Sequence, residues 1–134
     1  MLKRLVLILI VVSLFSCKDE MHTAIDNYLE EHLNDPDSYE NIEIENPKRI
    51  THITKYLEES VSNINSGSKN SEALSSEALD SVIGYYKQRG IDPYEILGYE
   101  VRHKFRAKNS FGALVIQEQT YIFSKDLKKI LRVR

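Results

Sequence analysis

Cysteine occurs once in these 134 residues, at Cys17, so no internal disulfide can staple the fold. Stability has to come from a hydrophobic core. The four histidines, His22, His32, His52 and His103, form neither an H-x-H nor an H-x₃-H pair. His22 and Asp26 share a helix face, but that spacing equally serves an exposed polar contact, so no metal and no cofactor is expected. A G-x-S-x-G elbow and a phosphate-cradling glycine loop are both missing, and Ser66-Gly67-Ser68-Lys69 matches S-x-x-K without its S-D-N or K-T-G companions. Nucleophilic chemistry therefore has no motif to stand on. The longest apolar run, Leu5 to Phe15, is also too short for a membrane span: as a helix, Leu5 to Ser16 covers about 18 Å against the ~30 Å of a bilayer's hydrocarbon.

That run is nonetheless informative, because Lys3-Arg4 precedes it and Leu14-Phe15-Ser16-Cys17 ends it. A positive start, an apolar stretch and a small residue before the cut make a secretory leader. Leu14-Phe15-Ser16-Cys17 resembles the lipobox of bacterial lipoproteins, although Phe15 stands where a small residue is usual. The resemblance implies cleavage before Cys17, a diacylglycerol on its sulfur, and an outer-membrane anchor. Two or more acyl chains hold a protein on a bilayer where one holds it only marginally. A soluble secreted protein with an incidental cysteine, or an uncleaved anchor, are the alternatives. Lys18-Asp19-Glu20 resembles the charged tether of Bacteroidota lipoproteins shown on the cell surface, and it equally reads as a solvated linker. The expected organisation is a leader over residues 1–16, a lipidated tether over 17–20, and one small domain over 21–134.

Charge is divided unevenly. Residues 17–96 carry 7 basic and 17 acidic side chains, net −10, while residues 97–134 carry 9 and 3, net +6. Such halves suit a charged partner, or one another.

Periodicity supplies the elements. Met21, Ile25, Tyr28, Leu29 and Leu33 fall on one helix face, which Asn34-Asp35-Pro36 ends. Ile42 and Ile44 alternate with Glu43 and Glu45, giving one strand over 41–46. Pro47 then opens a helix carrying Ile50, Ile53, Leu57, Val61 and Ile64. A Ser/Gly loop leads to a third helix over about 72–89, capped by Gly90. The middle of the chain is thus expected to be a helical hairpin. From Tyr99 the period becomes two, and strands over 99–108, 113–123 and 127–133 follow. The expected fold is α+β: an N-terminal helix, one strand, a helical hairpin, then a three-stranded antiparallel meander with helices on one face.

Two candidate sites lie on the strand from Tyr99. His103 falls on its apolar phase, and a two-residue turn at Ser110-Phe111 would set His103 opposite Glu118 and Phe105 opposite Ile116. A His103 and Glu118 pair would satisfy two half-buried polar groups, or transfer protons in a small hydrolase. Arg102, Lys104, Arg106 and Lys108 form a basic row on the other phase. It would dock an anionic glycan, a lipid headgroup or an acidic protein, or simply discourage edge aggregation. Nucleic acid is excluded by an extracytoplasmic address.

Asp35-Pro36-Asp37-Ser38-Tyr39 and Phe105-Arg106-Ala107-Lys108-Asn109-Ser110-Phe111-Gly112 together resemble motifs of small bacterial secreted or lipid-anchored proteins, with Ala113 where a second glycine is usual. The resemblance carries no activity. The expected function is a lipid-anchored, non-catalytic binding module, with an immunity or inhibitor lipoprotein occupying a toxin or hydrolase as the alternative.

Overall fold

The computed structural model describes residues 20–66 and 75–134. The expected leader, Cys17, most of its tether, and the loop leading into the third helix lie outside those residues.

Helix α1 (Glu20–His32) lays Met21, Ile25 and Leu29, spaced one turn apart, onto the sheet. His32 closes its last turn through Nδ1 on the Tyr28 carbonyl at 2.8 Å. A 3₁₀ turn (Pro36–Ser38) follows, with the Ser38 hydroxyl donating to the Asp35 carbonyl and accepting the Lys108 amide at 2.9 Å. Tyr39 is thereby fixed at the edge of the core.

One strand stands where one was expected over 41–46, and a second follows it where a helix was expected. Strands β1 (Glu40–Ile44) and β2 (Lys48–Ile50) both pair with the same side of β3 (Gly98–Lys108). The helix expected from Pro47 begins only at His52. Ladder pairing claims Lys48, Arg49 and Ile50, and Thr51 starts α2 (His52–Asn65) with a capping box, its hydroxyl accepting the Thr54 amide at 3.2 Å. Helix α3 (Ser76–Gln88) is capped by Ser75 and closes at Gly90, whose φ of 71° is the left-handed geometry foreseen for it. The start of α2 touches the end of α3 where His52 meets Tyr86, ring centroids 4.7 Å apart.

Strands β4 (Leu114–Phe123) and β5 (Ile130–Val133) complete a mixed α/β domain. Its five-stranded antiparallel sheet runs β1, β3, β4, β5, with β2 beside β1 on the β3 edge. The sheet is therefore wider than a three-stranded meander. Among the described residues the main core cluster draws on α1 alone of the three helices: Met21, Ile25 and Leu29 meet Val101, Phe105, Ala107, Tyr121 and Phe123. Helices α2 and α3 join at the Gly98 end instead, through β2 and the Ile53 amide on the Pro93 carbonyl. Gly98 is required where it stands, since a Cβ there would lie 2.4 Å from the Phe123 carbonyl oxygen.

Candidate functional site

Alternation along β3 sends its odd and even residues to opposite faces, and each face holds one candidate site.

On the covered face His103 is fully buried. Its Nε2 lies 3.2 Å from Asn41 Oδ1 and 3.3 Å from the Tyr39 hydroxyl, while no group among the described residues bonds Nδ1. The imidazole is packed among tilted rings, with Phe105 at 5.0 Å and Tyr121 at 6.1 Å between centroids. Burial in this ring cage pushes its pKa from 6.5 down to about 4, against the pull of the Asp26 carboxylate and with the push of His22. The imidazole is therefore neutral at pH 7. The Tyr39 hydroxyl is raised above its ordinary value, first by burial and then by Asp26. Tyr121, raised chiefly by burial, donates to Gln119 Oε1 at 2.8 Å.

Outside this cage a groove of about 290 Å³ runs between α1 and the 3₁₀ turn, with Leu29, Leu33 and Pro36 as its apolar floor and Asp26, Glu30 and Asp37 at its rim. Tyr39 belongs to both: its ring lines the groove and its hydroxyl meets His103.

Glu118 is not the partner of His103. The register sets His103 opposite Gln119, Phe105 opposite Gln117 and Glu118 opposite Lys104. The cause is the turn. Asn109 pairs with Ala113 across a three-residue loop, Asn109 Oδ1 accepts the Phe111 and Ala113 amides at 3.0 Å, and Gly112 takes a φ of 78°. One residue more than a two-residue turn shifts the register by one, which sends Glu118 to the open face. The proton-transfer couple is not assembled.

On that open face Arg102, Lys104, Arg106 and Lys108 do stand in a row, and carboxylates stand with them. Arg102 contacts Glu45 and Glu118, both at 3.5 Å; Arg106 contacts Glu40 at 3.3 Å; Lys108 contacts Asp35 at 3.0 Å. All of these are exposed pairs worth about 0–1 kcal/mol each, yet together they cancel much of the row's field. Lys104 faces Glu43 and Glu118 across its two neighbouring strands.

Long-range neighbours of His103 escaped sequence reading. Asn41 and Tyr39 lie more than 60 residues away in the chain, and only the β1 to β3 register brings them to it. The shared face of His22 and Asp26 was the one local signal, without an indication of which strand it would cover. No family model, curated protein or solved structure matches this chain.

Proposed function

We propose that the chain is an envelope lipoprotein: cut before Cys17, lipidated on its sulfur, and holding a small α+β domain at the outer membrane as a binding module without catalysis. One observation carries the reading. An eleven-residue apolar leader ends at the lone cysteine, only three residues before α1 begins at Glu20.

The state of His103 supports a binding role over a hydrolytic one. It is sealed, neutral and bonded to Tyr39 and Asn41, with its expected acid partner on the far face of the sheet. A general base needs reach to its substrate, and this imidazole has none. The basic row remains the docking surface for an anionic glycan, lipid headgroup or acidic protein only if such a ligand displaces Glu40, Glu45, Glu118 and Asp35 from the cations they contact.

Detergent phase partition tests the anchor. The full chain should enter the detergent phase, and Cys17→Ser should move it to the aqueous phase. Equal partition of the two would remove the lipid from consideration.

A further inference from the structure

The groove between α1 and the 3₁₀ turn gathers carboxylates without a lysine or arginine. On the open face of the sheet Asp35, Glu40, Glu45 and Glu118 each meet a basic side chain. Asp26, Glu30 and Asp37 stand instead around an apolar floor, and no lysine, arginine or histidine lines the groove with them. Glu30 and Asp37 are exposed and form no ion pair among the described residues. Lys108, which reaches the same turn, is held by Asp35 at 3.0 Å.

The floor is preformed. Leu29 is 2% exposed and belongs to the core, and Leu33 and Tyr39 pack against that core. The Tyr39 hydroxyl lies 3.3 Å from His103 Nε2, and the Ser38 hydroxyl ties the turn to β3 by accepting the Lys108 amide at 2.9 Å. A ligand therefore meets a surface already in place, with little ordering to offset its affinity.

These features select the occupant. Three carboxylates repel an anion. They do not converge on a point either, since among the described residues no three His, Cys, Asp or Glu side chains are grouped to hold a metal ion. Carboxylates set around Leu29, Leu33, Pro36 and the Tyr39 ring suit a cation that carries apolar surface with it. Its charge is met at the rim, and a cation close to a tyrosine ring face gains further attraction. A volume of about 290 Å³ lies at the lower limit of small-molecule sites. The apolar body is thus about the size of one phenyl ring with a short chain.

We propose that this groove binds a small organic ammonium ion, its apolar body on Leu29, Leu33 and Pro36 and its charge among Asp26, Glu30 and Asp37. The site is separate from the basic row, takes a ligand of the opposite charge, and needs no lipid at Cys17.

The test uses the full chain, isotope-labelled, in nonionic detergent micelles, with phenethylammonium as the probe and backbone amide shifts as the readout. Saturable shifts should appear within residues 26–39 at millimolar probe. Phenethyl alcohol keeps the body without the charge, and methylammonium keeps the charge without the body. Each should bind at least fivefold more weakly, since even one exposed ion pair changes affinity by up to about fivefold. Glu30→Gln with Asp37→Asn, both exposed, should weaken the ammonium at least threefold and leave the alcohol unchanged. No saturable shift in that stretch, or equal binding of the ammonium and the alcohol, would overturn the proposal. An acetylated Phe-Lys dipeptide amide binding more than tenfold tighter than phenethylammonium would also overturn it, in favour of a basic segment of another protein. Phase partition of the Cys17→Ser chain reports separately on the anchor, so failure of that reading and failure of this site give different results.

Discussion

His103 is a base kept neutral by burial, and its protonation is therefore linked to folding. Its pKa is about 4 in the folded chain and 6.5 when exposed. Above pH 6.5 both states are neutral and the stabilisation is complete. Between pH 6.5 and 4 the unfolded chain takes a proton that the folded one refuses, so stability falls with pH, by up to about 3 kcal/mol from this group. Asp26 and His22 from α1, and Tyr39 and Tyr121 from the turn and β4, act on the same site, so wild type must be compared with a variant. In urea unfolding at pH 7.5 and 4.5, His103→Leu should lose less stability on acidification than wild type; an equal loss would clear His103 of this role. Gly98→Ala is a second residue-scale case. Its new methyl collides with a backbone carbonyl rather than a flexible side chain, so thermal unfolding should show a loss of about 1–3 kcal/mol. The apolar phase of His103 was legible from alternation alone. Its partners were not, because they are set by strand pairing over more than 60 residues.

Elements were legible in proportion to how local their causes are. Helix α1 is fixed by Met21, Ile25 and Leu29 and stopped by Pro36, all within one short window. Ile50 misled, because its helical spacing with Ile53 and Leu57 competes with a ladder on β3 that only the folded chain supplies. The β3 to β4 hairpin shows how much one residue matters. Sequence identified both strands and the turn chemistry of Asn109 and Gly112, and a loop length wrong by one reversed the face of Glu118. Gly112→Val tests that turn: a β-branched residue at a φ of 78° should cost about 1–2 kcal/mol in thermal unfolding, with the core of α1 and β3 retained. A cost within error would mean the loop adopts another geometry.

At the scale of the whole molecule, the division of charge found its physical use. The acidic first part and the basic last part meet across the open face, where Glu40, Glu45 and Asp35 contact Arg106, Arg102 and Lys108. The sheet's width was not legible, since two short strands with mixed patterns add to one long one. Under the proposed anchoring, the domain hangs from Cys17, three residues before α1 begins. Intact-mass spectrometry of the protein purified from the membranes of the cells that make it tests this most directly. Anchoring requires a chain beginning at Cys17 and carrying the mass of a diacylglycerol, with or without a further acyl group. A chain that still begins at Met1, or one with a free thiol at Cys17, would contradict it.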